Sequence, residues 1–211
     1  MVKGQVYGEI GNDNYLEYLD DIHDSGIHLF HLVDDVLDIS KIEAGETTLD
    51  ESDVELAELL QSCAKMIKGR ADANAISIQY APAENFPSLC GDERFIKQAV
   101  LNLLSNAVKY NVTGGSVSIS TNVDRNNAIS ITVSDTGIGI SAKGLPKVLE
   151  PFGQARSGAH KTHEGTGLGL SIAKKLIELH HGTMQLESNP NEGTSATIMF
   201  PPERTIGTKV E

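Results

Sequence analysis

Residues 102–110 read NLLSNAVKY, two asparagines and a lysine set into a run of leucine, valine and alanine. At 3.6 residues per turn Asn102, Asn106 and Lys109 fall within an arc of roughly 60°, while Ile96, Val100, Leu103, Leu104 and Ala107 centre on the opposite side. The pattern predicts an amphipathic helix begun by Asp92, whose carboxylate can accept from the N–H groups of the first turn. A polar stripe is a solvated face on most helices. Whether this one is solvated depends on what the chain places around it.

Downstream, TGG at 113–115 reads as a turn, and GSVSISTNV and AISITVSD on either side of DRNN read as a β-hairpin. Residues 136–169 are rich in Gly, Ser and Lys with few apolar anchors, and a loop of that length is uncommon unless it moves or binds something. A helix from about Thr166 to His180 ends at Gly182, and TMQLES and TSATIMF read as two last strands. The final residues read as a tail that frays. Upstream, a strand near ETTLD (46–50) leads to a helix from about Val54 to Ala71 and a strand at ISIQY (76–80). Residues 13–44 form a long helix in which Leu19, Ile22, Gly26, Leu29, Val33, Val36 and Ser40 recur at steps of three and four, with Leu16, Leu32, Leu37 and Ile42 widening the stripe. Such a stripe needs a partner helix from another segment or another chain, and Gly45 is placed to end the helix. The chain divides into a helical segment (1–45), a mixed α and β domain (46–203) and a flexible tail (204–211).

A formal charge of −12, from 17 basic and 29 acidic residues, argues against a nucleic-acid or anionic-membrane surface, since no basic run is present. Cys63 and Cys90 lack CxxC spacing and metal-ligand neighbours, which favours a reducing, cytoplasmic setting and no metal cluster. No apolar run reaches signal-peptide or membrane-spanning length, so no membrane contact is expected from these residues, although a membrane-bound parent would be compatible.

Three glycine-containing stretches follow the asparagine helix: DTGIGI (135–140), EGTGLGL (164–170) and EGT (192–194). Each alone is a weak signal. The second fits neither the GxGxxG dinucleotide pattern nor a GK[ST] phosphate loop, but it opens a helix, and glycine-flanked N–H groups at a helix start favour phosphate oxygens. Asp135 is expected at a strand end, with Gly137 and Gly139 leaving room for a flat ring. A carboxylate there can accept a hydrogen bond from an exocyclic amine.

In this order NLLSNAVKY, DTGIGI, LEPFGQ (149–154) and GTGLGL resemble the N, G1, F and G2 boxes of sensor histidine kinases, whose ATP-binding fold is shared with DNA gyrase B and related ATPases. The resemblance covers about residues 46–201. YLEYLDDIHDSGIHLFHLVDDVLDISKIEAG is similar to the second helix of the kinase dimerisation and phosphotransfer hairpin, and the whole is most similar to alphaproteobacterial cell-cycle kinases. The resemblance implies an α+β fold, a two-layer α/β sandwich of a mixed, mainly antiparallel sheet of about five strands with three helices on one face. It implies ATP and Mg²⁺ as cofactors, transfer of the γ-phosphoryl to a His, a response-regulator receiver domain as partner and a homodimer through the hairpin. By the same resemblance Asn106 would ligate Mg²⁺ through oxygen, Lys109 would touch the phosphates and Tyr110 would pack by the nucleotide. Asp135 would read the adenine amine, with Gly137 and Gly139 beside it and Thr194 helping through water. Gly165, Thr166, Gly167, Leu168 and Gly169 would cradle phosphates, and residues 141–164 would form a mobile lid.

Asn102 stands four residues before the Mg²⁺ asparagine, where the related ATPases carry a glutamate general base. An amide cannot take a proton near neutral pH, so Asn102 favours transfer to a protein acceptor over hydrolysis. The family phosphorylates a His followed by an acidic residue and, a few positions on, a proline. His23 precedes Asp24, but His28 stands where the proline belongs, so the acceptor is expected outside this segment and autophosphorylation of the chain alone is not expected. Phe152 reads equally as a lid anchor or a cover for core, and Arg156 and Lys161 read as surface charges or γ-phosphate contacts. His180 and His181 read as structural, cations suited to a helix C-terminus.

Overall fold

The computed structural model describes residues 13–82, 86–154 and 166–207. Asp92 starts helix α3 (Glu93–Lys109), its Oδ1 accepting from the N–H groups of Arg94 at 3.0 Å and Phe95 at 3.4 Å. Ile96, Ala99, Val100, Leu103, Leu104 and Ala107 form the buried face of that helix. Each large apolar side chain so buried contributes about 1.5–3 kcal/mol. Helix α3 packs between α2 (Leu56–Ala73) and α5 (Gly169–Leu179), and a single turn, α4 (Leu145–Val148), lies in the segment before α5.

The three long helices cover one face of a five-stranded sheet made of β2 (Ser77–Tyr80), β4 (Ser116–Val123), β5 (Ile129–Asp135), β6 (Thr183–Asn189) and β7 (Gly193–Phe200), in the order β2-β4-β5-β7-β6. β2 runs parallel to β4 and the other pairs are antiparallel. The alternation of side chains explains the two faces. Ile129, Ile131 and Val133 of β5 and Ala196, Ile198 and Phe200 of β7 are buried toward the helices. On the other face hydroxyls pair across strands, Thr132 with Thr197 at 3.0 Å and Ser134 with Ser195 at 2.8 Å.

A second sheet was not legible in advance: β1 (Ser52–Val54), β3 (Ser88–Gly91) and β8 (Thr205–Ile206) pair antiparallel in the order β1-β3-β8. The strand expected at 46–50 therefore falls at 52–54 instead, and Asp50 donates its N–H to Asp92 Oδ2 at 3.1 Å. Residues 202–206, expected to belong to a fraying tail, are instead held in the fold. Pro202–Arg204 form a 3₁₀ turn, and the buried Arg204 guanidinium donates to Glu51 Oε1 at 2.8 Å and to the Cys90 carbonyl at 2.9 Å.

His180, at the end of α5, is fully buried and neutral rather than a cation on the helix dipole. Its Nε2 accepts from the Asp92 N–H at 3.0 Å and its Nδ1 lies 2.7 Å from the Leu176 carbonyl, which requires the Nδ1–H tautomer. The helix closes with a 6→1 bond from Gly182 to Ile177 at 2.9 Å and with His181 at φ +56°, so His181 and not the glycine holds the left-handed position.

Helix α1 (Asp13–Glu43) ends in the same way, with Gly45 at φ +69° and the Glu46 N–H on the Lys41 carbonyl at 3.0 Å. Two faces of α1 have different fates. Leu32, Ile39 and Ile42 pack against the core on the side of α5, whereas Ile22, Leu29 and Val33 of the predicted seam are 68%, 61% and 50% exposed.

Candidate functional site

Asp135 is the last residue of β5, in register with Thr194 on β7. Its Oδ1 accepts from the Gly137 N–H at 2.8 Å and the Thr194 N–H at 3.3 Å, which leaves Oδ2 as the outward acceptor. Burial pushes this carboxyl above the usual range, opposed by those two N–H donors.

The glycines after Asp135 are small for a reason other than the one the sequence suggested. A Cβ on Gly137 would collide with the Tyr110 carbonyl and come within 2.8 Å of Asp135 Oδ1. Gly139, at φ +64°, would collide with the Asn189 carbonyl. The space is filled by the protein itself, the end of α3 on one side and the β6–β7 turn on the other. Ile138 donates to the Tyr110 carbonyl at 3.1 Å and accepts from Asn191 at 2.8 Å, so this loop is pressed between two elements and fixes Asp135 relative to α3.

The polar stripe of α3 is not a solvated face. Asn102 donates its side-chain amide to the Gly169 carbonyl at 3.1 Å, and a Cβ on Gly169 would lie 3.8 Å from the Asn102 and Asn106 amides alike. Both asparagines therefore look at the first turn of α5. One turn on, the Lys109 ammonium sits 5.3 Å from the centre of the half-buried Tyr110 ring. Burial raises the Tyr110 hydroxyl above its ordinary value.

At the start of α5, Gly167 (φ +72°) lies under the backbone of Phe152 and Gly153, and Thr166 Oγ1 accepts from the Leu168 N–H at 3.1 Å. Leu168 itself is fully buried, its N–H given to Thr166 and its carbonyl accepting from the Ile172 N–H at 2.9 Å and the Ser171 hydroxyl at 2.8 Å, so the expected phosphate contact at Leu168 is not open in this structure. Phe152 is 62% exposed at φ +61°, which removes the reading of it as a cover for the core. Gly165, Arg156 and Lys161 lie outside the described residues. Among the described residues no group of three or more His, Cys, Asp or Glu could hold a metal ion.

Two residues of the site went unread in the sequence. Asn111 joins the end of α3 to the sheet, donating to the Ser116 carbonyl at 3.0 Å and accepting from Thr136 Oγ1 at 3.3 Å. Ser188 accepts from the Ile140 N–H at 2.7 Å. Its signal was available: on β6 the inward positions run Met184, Leu186, Ser188, a hydroxyl where the period-two pattern asks for a hydrophobe.

Residues 91–204 match the family described as Histidine kinase-, DNA gyrase B-, and HSP90-like ATPase. Over 204 residues the chain is 37% identical to the non-motile and phage-resistance protein of Caulobacter vibrioides, covering 95% of this chain and 24% of that protein. Over 214 residues it is 38% identical to the cell-division control histidine kinase PdhS of Brucella abortus, covering 98% of this chain and 21% of PdhS. It thus spans a quarter or less of the length of these relatives. Among solved structures, full-length ShkA in complex with AMPPNP aligns with a TM-score of 0.81 at 25% identity, covering 97% of this chain and 41% of ShkA. The Acinetobacter baumannii histidine kinase AdeS shares the fold, with a TM-score of 0.73 at 21% identity over 96% of this chain and 92% of AdeS.

Proposed function

We propose, given that the chain belongs to the family of histidine kinase-, DNA gyrase B- and HSP90-like ATPases and carries its ATP-binding domain, that it is the catalytic unit of a two-component protein-histidine kinase. The observation that carries this reading is the fixed Asp135 carboxylate held beside the end of α3, whose asparagines face the start of α5. Asp135 Oδ2 reads the adenine amine, and Thr194 stands next to it. Gly167 and Gly169 line the phosphates, joined by Lys109.

The residues present fit Mg²⁺ only as part of a nucleotide complex. Asn106 would offer one amide oxygen, and, with no group of three or more His, Cys, Asp or Glu among the described residues able to hold a metal, phosphates and water would supply the remaining ligands, as this ion prefers. Bound there, the ion neutralises charge on the phosphates. The chain's own contribution is positioning, with the nucleotide held so that a histidine of the helical hairpin can attack the γ-phosphorus in line, ADP leaving and the phosphoryl passing on to an Asp of a response regulator. Hydrolysis is disfavoured by Asn102, whose amide nitrogen is already committed to Gly169 and whose oxygen is no general base.

The exposed seam of α1 suits the homodimer through the hairpin, and the reaction belongs to the cytoplasm in this reading. Among the described residues no helix is long and apolar enough to cross a membrane. Two measurements test the proposal. Calorimetric titration should show ATP binding tightened by Mg²⁺, and γ-labelled ATP should label a separately supplied hairpin carrying its histidine. Binding with no transfer would demote the chain to a non-catalytic signalling module, and absence of binding would remove the nucleotide altogether.

A further inference from the structure

Asp135, Thr194 and Ser188 lie in one row across β5, β7 and β6, since Asp135 pairs with Thr194 and Ser188 pairs with Thr194. Their side chains share the face that looks toward the helices. The last of the three has an unusually complete set of partners. Ser188 Oγ accepts from the Ile140 N–H at 2.7 Å, lies 2.8 Å from the Gly193 carbonyl and lies 2.9 Å from Thr194 Oγ1.

A hydroxyl has one proton to give and two lone pairs to offer. The Ile140 N–H can only donate and the Gly193 carbonyl can only accept, so the Ser188 proton goes to Gly193. Thr194 must then donate its own proton to Ser188. No other arrangement makes all three bonds. Thr194 Oγ1 is left with lone pairs alone to turn toward a ligand. Asp135, ionised, has no proton to give either, and its Oδ1 is already occupied by two backbone donors. The wall that meets the base is made of acceptors.

On the basis of the nucleotide reading above, we propose that Ser188 is a positioning residue: it holds the Thr194 hydroxyl as an acceptor and so makes the site select a purine with an amino group at position 6 over one with an oxo group there. A 6-amino group brings two N–H donors to an acceptor wall. A 6-oxo group brings lone pairs to lone pairs, and buried polar groups facing without a proton between them are disfavoured. Were the Thr194 hydroxyl free to rotate, it could turn its proton to the oxo group and recover one hydrogen bond. Ser188 prevents that rotation without touching the base.

The test is the ratio of dissociation constants for MgATP and MgITP, which differ at position 6 and the adjoining N1 proton, measured by calorimetry on the 211-residue chain and three variants. The parent should favour ATP. Ser188→Ala should narrow the ratio by about three- to tenfold, the worth of one net hydrogen bond, Ser188→Thr should keep the parent ratio, and Thr194→Val should narrow it in the same way. A Ser188→Ala variant that weakens both nucleotides by one common factor would overturn the proposal, because that is how a loop anchor alone would behave. Should Ser188→Ala fail to fold, Thr194→Val carries the test, and a parent-like ratio there would overturn it equally. A parent chain that binds neither nucleotide overturns the nucleotide reading itself, a result distinct from an unchanged ratio.

Discussion

The side-chain amide of Asn102 donates to the carbonyl of Gly169 across 3.1 Å, tying the middle of α3 to the first turn of α5. The position that suggested chemistry in the sequence is thus also a structural joint. Asn102→Ala should cost about 0.5–1.5 kcal/mol of stability in urea unfolding and weaken nucleotide binding, since the Gly167–Gly169 backbone loses its tether. Asn102→Glu should not create an ATPase. A glutamate would set an acceptor against the Gly169 carbonyl and disturb the joint, so phosphate release should stay at the parent's level. Release rising well above it would show that the joint is dispensable.

Asp135 is predicted to oppose stability while serving binding. Its folded carboxyl is raised by burial, so ionisation at neutral pH is less favourable in the fold than in the unfolded chain. That cost is relieved as pH falls through the raised folded value. Asp135→Asn removes the charge at all pH values, and its remaining oxygen can still accept from Gly137 and Thr194. The variant should melt at or above the parent's temperature at pH 7. Its Nδ2 would face the adenine amine donor to donor, so ATP affinity should fall at least about 100-fold. A destabilised variant that still binds would contradict both halves.

How much of this could be read beforehand depended on the range of the signal. The individual strands and helices and the Asp92 cap followed from periods of 2 and 3.6 and local capping chemistry, because each is written in consecutive residues, whereas their assembly into one five-stranded sheet with three helices on one face was implied by the family resemblance. The β1-β3-β8 sheet was missed because SDV, SLCG and TI are too short to show a period, and each is held by partners distant in the chain. The asparagine stripe was identifiable, but that it faces Gly169 depends on α5, 67 residues away. At Gly137 and Gly139 the sequence suggested room for a flat ring to approach the backbone. Only packing revealed that Tyr110 and Asn189, and not a ligand ring, take up the room.

That distinction gives a paired prediction for glycines. Gly137→Ala would drive a methyl group into the Tyr110 carbonyl and against Asp135 Oδ1, neither of which can yield without moving α3 or the carboxylate. It should cost about 1–3 kcal/mol and abolish ATP binding. At Gly169 the nearest atoms to an added methyl are 3.8 Å away, and the residue opens a helix. Gly169→Ala should fold as well as the parent or gain about 0.5–1 kcal/mol, yet bind ATP more weakly if phosphate approaches that backbone. Unfolding curves beside calorimetry separate the two, and a Gly169→Ala variant with full affinity would place the phosphates elsewhere.

His180 sets an acid limit on the fold. Burial pushes its pKa below the ordinary value, with Arg204 adding to that push, while its bond to Leu176 and the charges of Asp92 and Glu51 oppose it. The bond from the Asp92 N–H requires an unprotonated Nε2, so a proton on that nitrogen breaks the contact joining the start of α3 to the end of α5. In the unfolded chain the ring takes its proton near pH 6.5, whereas the folded ring resists it. Between the unfolded and the lowered folded pKa the unfolded state therefore binds more protons, and stability falls as pH falls. The contribution should be complete above about pH 7 and should decline by up to about 1.4 kcal/mol per pH unit below 6.5, opposite in sign to Asp135. Urea midpoints at pH 7.5, 6.5 and 5.5 should drop in that order, and the drop should shrink in His180→Gln, which has no ring to protonate. If the parent's midpoints stay level while the ring titrates by NMR, the ring accepts its proton in place and the Asp92 contact is not what ties the two helix ends together.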